Sequence, residues 1–253
     1  MNKQSVLKLG LGLGFALKTV AASALPIVPT YGYFGTLPGV SFSGSGIPSD
    51  AVAVSTFSTT GVSLSLLTMG LSAAERCDVP TSICGAVVTN DGAGRFTAQS
   101  GAPFAGLATP QPNYASWNIN YYVNGNTNLY NFRLLYDFNP AVGNDQSTHG
   151  VGNLFAFAGL STNATVQDSA NMGFTTLSTG FPGAVTPPSF LPFNPNVNGE
   201  YSFALIAFDK TSGAEVARSA IILSAVPEPE GYVLGLAGLL GLAVTARRRR
   251  STH

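Results

Sequence analysis

Residues 199–223 read GEYSFALIAFDKTSGAEVARSAIIL, and the way two apolar runs are divided by DKTSGA decides the fold class. Aromatic and aliphatic residues dominate both runs. The divider is Asp, Ser and Gly, residue types that build tight turns. The stretch predicts a hairpin, with strands over 199–208 and 215–223 and a loop over 209–214. The same grammar recurs upstream. Trp117, Ile119, Tyr121 and Val123 alternate with Asn118, Asn120, Tyr122 and Asn124, the period of a half-buried strand. After the turn NGNTN (124–128), Tyr130, Phe132, Leu134, Tyr136 and Phe138 fall on one face, with Asn131, Arg133 and Asp137 on the other. Residues 117–138 are therefore predicted as a second hairpin, aromatic on one face.

Weaker strand patterns occupy 51–57, 62–68, 86–89, 153–160, 163–167 and 172–177. LSAAERC (71–77) is expected to make one or two helical turns, and residues 178–199, with five prolines, to form a surface loop. Glycine (29) and proline (16) cut the apolar residues into short runs, which suits an all-β chain with many turns. The expectation is one all-β domain over 25–225, a β-sandwich or jelly-roll-like fold. The segments are too short and irregular for an outer-membrane barrel, and no solenoid or propeller period is present.

The net charge of zero hides a division by region. Lys3, Lys8 and Lys18 precede residue 25, and Arg247, Arg248, Arg249 and Arg250 crowd the end. Residues 25–225 hold five bases (Arg76, Arg95, Arg133, Lys210, Arg218) against ten acids, a charge of minus five. An acidic body without a basic patch gains nothing from counterion release, which excludes nucleic acid as a partner class.

Motifs of catalysis are scarce. The body has one histidine, His149, in DQSTHG, where turn residues predict a solvated loop; His253 lies beyond the arginines. A Ser-His-Asp hydrolase using His149 is conceivable only without a G-x-S-x-G elbow, which the chain lacks. H-E-x-x-H, P-loop and G-x-G-x-x-G patterns are also missing, so no catalytic residue and no cofactor is expected. Asp137, Asn139, Asn144 and Asp145 are weak calcium candidates: hard oxygen ligands close in sequence, without EF-hand spacing. The same residue types serve tight turns, so no metal is expected there. Among Tyr114, Trp117, Tyr121 and Tyr122, only Tyr122 falls on the polar face of its strand, a weak basis for a carbohydrate platform. Asn163-Ala164-Thr165 fits the glycosylation sequon.

The termini carry addresses. Lys3 and Lys8, an apolar run from Leu9 to Leu17, and Ala22-Ser23-Ala24 follow the three-part plan of a secretory signal peptide (1–24), with cleavage after Ala24 and a mature start at Leu25. Export predicts that Cys77 and Cys84, the chain's two cysteines, form a local disulfide. At the other end, Gly231 to Ala246 is an uncharged run; as a helix it spans about 24 Å, slightly under the ~30 Å hydrocarbon core. Snorkelling arginines and an interfacial Tyr232 extend it, and the positive-inside bias places the arginines in the cytoplasm.

Val226-Pro227-Glu228-Pro229, the apolar run and the arginine cluster, in that order over residues 226–253, resemble the PEP-CTERM sorting signal. Glu230 and Gly231 stand where small polar residues are commoner in that family. The final hairpin also resembles the one that precedes the signal in many of its members. The resemblance implies an exported protein of a Gram-negative bacterium that makes extracellular polysaccharide. It implies that a membrane-embedded cysteine protease, exosortase, recognises the tail near Pro-Glu-Pro. It implies handling rather than activity. The expected function is a non-enzymatic surface or extracellular-matrix protein, anchored for a time in the inner membrane with its body in the periplasm. A module binding polysaccharide or calcium is the alternative.

Overall fold

The computed structural model describes residues 25–58, 66–77, 87–103, 112–125, 129–154 and 165–227. The predicted signal peptide, Cys84, the sequon's Asn163, Glu228, Pro229, the apolar run 231–246 and Arg247–Arg250 lie outside them. Among the described residues no helix is long and apolar enough to cross a membrane.

The chain is all-β. In order the strands are β1 (Tyr33–Gly35), β2 (Val52–Ser58), β3 (Leu66–Glu75), β4 (Thr89–Asn90), β5 (Arg95–Gln99), β6 (Trp117–Asn124) and β7 (Tyr130–Tyr136). They continue as β8 (Gly150–Asn153), β9 (Val166–Ala170), β10 (Val185–Thr186), β11 (Gly199–Asp209) and β12 (Glu215–Val226); one short helix, α1 (Thr175–Thr179), stands between β9 and β10. They form two sheets, a five-stranded one in the order β1-β2-β3-β6-β9 and a seven-stranded one in the order β10-β8-β7-β11-β12-β5-β4. Every pairing is antiparallel except β12 with β5.

The two sheets face each other across one core. From β6 come Trp117, Ile119, Tyr121 and Val123, and from β11 Tyr201, Phe203, Leu205 and Ala207. The Trp117 ring lies 5.9 Å from Tyr201 and 6.2 Å from Phe203, and Phe57 of β2 meets Tyr130 of β7 edge-on at 5.7 Å. Aromatic pairs of this kind add about 0.5–1.5 kcal/mol each beyond the area they bury. Such contacts join the layers.

The predicted final hairpin is present, and local chemistry explains its turn. Asp209 Oδ1 accepts from the Thr211 and Ser212 amides at 3.0 and 2.7 Å, and Gly213 adopts a φ of 71°, which glycine takes without strain. The strands then pair from Gly199↔Ala225 down to Phe208↔Glu215, with one register shift after Ala207.

The other predicted hairpin is not one. β6 and β7 have the predicted apolar faces, but they belong to different sheets: β6 pairs with β3 and β9, β7 with β8 and β11. The chain therefore passes from one sheet to the other between Asn124 and Tyr130. Alternation specifies which face is buried and says nothing about the neighbour at the strand's edge. Three smaller corrections have related causes. LSAAERC is not helical but continues β3 as far as Glu75, its small residues being buried against both neighbouring strands. MGFTTL is not a strand; Thr175–Thr179 form α1, ended by Gly180 at φ 78°. Asp137, assigned to the polar face, is 2% exposed. Apart from the end of α1, the two-residue edge strand β10 and Gly199 at the start of β11, the proline-rich 178–199 stretch is a loop as expected.

Both outer faces are covered in part by loops. Over the five-stranded sheet, Leu37, Phe42, Val40 and Ile47 pack on Val52, Val54 and Tyr122. Over the seven-stranded sheet, Ile27 packs on Ala204, Ile206 and Ala220. The segment that carries Ile27 stitches the layers together: Pro26 bridges Asp145, Thr30 exchanges both backbone hydrogen bonds with Ala220 (3.1 and 2.7 Å), and β1 pairs with β2 of the other sheet.

Candidate functional site

His149 is buried, not solvated: it is 4% exposed and sits among Asp137, Asp145 and Ser202. Asp145 caps a 3-10 turn, Gln146–Thr148, by accepting from the Ser147 amide at 2.9 Å. That turn delivers His149 onto the outer face of the seven-stranded sheet, beside Ser202 of β11. The ring's Nδ1 donates to the Asp145 carbonyl at 3.1 Å, which leaves Nε2 as an acceptor for the Ser202 hydroxyl at 2.7 Å. Asp137 Oδ2 lies 3.6 Å from the same Nε2.

This geometry bears on the hydrolase reading. In a nucleophilic triad, acid and serine occupy opposite ring nitrogens, so the acid orients the base while the base takes the serine proton. Here both crowd Nε2, and a backbone carbonyl holds Nδ1. Ser202 is itself 6% exposed, so the hydroxyl is sealed from an incoming acyl group. Burial pushes the imidazole pKa below its ordinary value, and the nearby charge of Asp137 opposes the shift. Burial first, and Asp137's charge second, push the Tyr201 hydroxyl up to about 12. The cluster is a polar plug whose hydrogen bonds are satisfied within the fold.

The calcium candidates meet in the same place, but their oxygens are engaged. Asp137 Oδ1 accepts from the Asn139 amide at 2.9 Å, and Asn139 Oδ1 from the Ala141 amide at 3.1 Å. Asn144 directs its amide nitrogen inward, donating to Asp137 Oδ2 (2.8 Å), Asn139 O (2.8 Å) and Ala141 O (2.7 Å). That nitrogen gathers three oxygens, the task a cation would perform. Among the described residues no group of three His, Cys, Asp or Glu side chains is disposed to hold a metal ion.

The remaining candidates are dispersed. Leu25 begins the segment that bridges Asp145, and its carbonyl accepts from the Gln146 amide at 3.0 Å. Cys77 follows the end of β3, and its expected partner, Cys84, lies outside the described residues. Val226 is the last residue of β12, paired with Gln99 of β5. Its carbonyl accepts from the Ser100 amide at 2.8 Å, and Pro227 follows directly. None of the four aromatic residues forms an open platform. Trp117 and Tyr121 are core, Tyr122 packs beneath the 37–47 loop, and Tyr114 lies under the Arg76 guanidinium at 4.7 Å.

Among the concavities of the described residues, two lie near the candidate side chains. One, of about 290 Å³, lies beside the five-stranded sheet and is lined by Glu75, Asn118, Asp168, Ser169, Ile47 and Cys77 among others. The second, of about 260 Å³, is apolar, between Phe138, Phe190, Pro192 and Tyr201. The sequence reading missed the residues that organise the first. Gln167 of β9 accepts from the Ser41 and Phe42 amides at 2.9 Å each and so pins the loop that walls it. Asn171, fully buried, ties the chain after β9 to the start of β6. A polar residue at a strand end carries no sequence signal of such a role.

Fold and site together define an all-β, two-sheet domain whose buried His149 is sealed in a polar plug. Comparison with protein-family profiles, with curated proteins and with solved structures gives no match.

Proposed function

We propose that this chain is an exported, non-enzymatic surface or extracellular-matrix protein, anchored transiently by its C-terminal run and sorted through a PEP-CTERM-type signal. The observation that carries the reading is the end of the last described strand: β12 holds Val226 in the sheet, and Pro227 comes next. Proline removes an amide donor and restricts the residue before it, so the sheet cannot extend past this point. A sorting protease needs an extended segment outside the fold, and residues 227–230 meet that need by sequence. Leu25, the predicted mature start, is tied to the body by its carbonyl, which accepts from the Gln146 amide at 3.0 Å, and this supports 25–226 as the exported unit. Export also favours a Cys77–Cys84 disulfide as a local staple. The partners on this reading are an exosortase-type protease and the inner membrane, with extracellular polysaccharide in the matrix.

Intact-mass analysis of the protein from its producing cells tests the proposal. A mature chain that starts at Leu25 and ends within or just after residues 227–230 supports sorting. A mass that keeps Arg247–Arg250 refutes it in favour of a plain tail anchor. One observation favours a second reading as a polysaccharide-binding module: the 290 Å³ concavity sets Asn118, Ser169, Asp168 and Glu75 beside apolar Ile47. Amides, a hydroxyl and carboxylates there can both donate to and accept from sugar hydroxyls. Calorimetric titration with extracellular glycans separates the two, since flat heats remove the binding module.

A further inference from the structure

Resting on the reading that export removes residues 1–24, we propose that Asp145 is the receptor for the new N-terminus: the α-ammonium group of Leu25 pairs with its carboxylate and fastens the 25–30 segment. Hydrolysis of the Ala24–Leu25 bond adds one water, leaving a carboxylate on Ala24 and an amine on Leu25 that takes up a proton at neutral pH. The product group appears beside a carboxylate that the fold has already placed.

Placement comes from backbone geometry. Pro26 and Asp145 form an antiparallel bridge, and the Gln146 amide donates to the Leu25 carbonyl at 3.0 Å, so the first turn of chain runs alongside residues 145–146. The Asp145 carboxylate is itself fixed, because Oδ1 accepts from the Ser147 amide as the cap of the 3-10 turn. The Ser147 amide and hydroxyl, and then the Leu25 amide, hold this carboxyl below its usual range. The Leu25 peptide N–H thus counts among the groups that favour the charged form of Asp145, next to the Pro26 bridge. Cleavage turns a neutral donor into a charged one, and charge-assisted hydrogen bonds are the stronger kind. Leu25 is 63% exposed, so its side chain does not hinder the ammonium group's solvation.

The charged groups around this point are few. His149 stands behind Asp145, its ring against the Asp145 carbonyl, with Asp137 beyond it. Arg218 reaches Gln146 Oε1 at 3.2 Å but is held by Glu215 at 2.7 and 2.8 Å. Arg218's charge is thus directed at Glu215 rather than at Asp145. The consequence is directional. The precursor can fold, but the segment that covers Ala204, Ile206 and Ala220 gains its terminal clamp only after processing.

Amine reactivity tests this cleanly, because the chain from Leu25 to His253 contains one lysine, Lys210, as its other amine. The chain beginning at Leu25 is prepared in detergent in three forms: unaltered, Asp145→Asn, and with Ala24 retained as an extra residue. Each is pulsed with an acetylating ester at pH 7 and read by peptide mass, with Lys210 as the internal standard. A carboxylate partner raises the α-amino pKa by about half to one unit, so the unaltered chain should acetylate at its terminus about three- to tenfold more slowly than either variant. The Ala24 form leaves Asp145 intact and shifts the amine by one residue, so the comparison does not depend on how well Asp145→Asn folds. Equal terminal rates in all three overturn the latch even if the native protein starts at Leu25. A native protein that starts elsewhere instead removes the cleavage reading, whatever the rates.

Discussion

Asn171→Ala should be among the most damaging single substitutions in this protein, although Asn171 touches neither concavity. The side chain is fully buried and uses every hydrogen-bonding position it has. Its Oδ1 accepts from the Ala115 amide at 2.9 Å and the Gly173 amide at 3.0 Å. Its Nδ2 donates to Ala115 O and Trp117 O at 2.9 Å and to Asn118 Oδ1 at 2.8 Å. Alanine strips all five bonds. Gly173 and Asn118 lie near enough to the surface for water to replace the loss, but Ala115 and Trp117 are 0% and 1% exposed. That leaves three buried backbone groups without partners, at about 1–3 kcal/mol each. Relaxation recovers part, so the expected loss is about 3–4 kcal/mol, in the upper tail for single substitutions. The assay is urea unfolding followed by the fluorescence of Trp117, the chain's single tryptophan. With a slope of roughly 2 kcal/mol/M, the midpoint should fall by about 1.5–2 M at unchanged slope. A fall below about 0.5 M would mean that Ala115 and Trp117 find other partners, and the reasoning would be wrong.

Other consequences can be checked in the same way. His149 is held below its ordinary pKa by burial while the unfolded form keeps a value near 6.5, so on acidification the unfolded state binds the proton first. Its contribution is present in full above about pH 6.5 and is lost as pH falls from there toward the folded value, at up to about 1.4 kcal/mol per pH unit. The Asp137 and Asp145 carboxylates facing the ring moderate the loss; urea midpoints at pH 7 and 5 should differ in the wild type and much less in His149→Gln. Ser202→Ala removes one buried hydroxyl donor and should cost about 1 kcal/mol, with the ring proton staying on Nδ1 by ¹⁵N NMR. A proton found on Nε2 in that variant would contradict the assignment. Gly150→Ala places a Cβ within 2.2 Å of the Tyr136 ring, whose hydroxyl donates to Leu177 O at 2.8 Å. The ring cannot move without losing that bond, so a penalty of about 3 kcal/mol and a changed near-ultraviolet dichroism are expected, and a neutral effect would show that β7 and β8 separate easily.

How far the sequence reached depended on the range of the interaction concerned. The strand character of 117–124 and 130–136 was legible because alternation is set by neighbouring residues and the pleat. Whether those strands pair was not legible, since a short turn suits both a hairpin and a crossing between sheets. Asp137 and His149 looked solvent-facing because DFNP and DQSTHG are turn-forming words. Their burial depends on Ser202 of β11 and on the covering segment near Ile27, which are remote in the chain.

The sequence alone determined the all-β class, the final hairpin and its turn, and the expectation of addresses at both ends, because each rests on local chemistry. Asp209 and Gly213 close their turn using residues within a few positions of themselves. Tertiary structure decided the strand order, the parallel β12–β5 pair that takes in Val226, and the conversion of a cluster of turn residues into a sealed plug. Those outcomes depend on which faces meet across the core and on what covers the outer face. They are contacts between distant segments, and no local pattern encodes them.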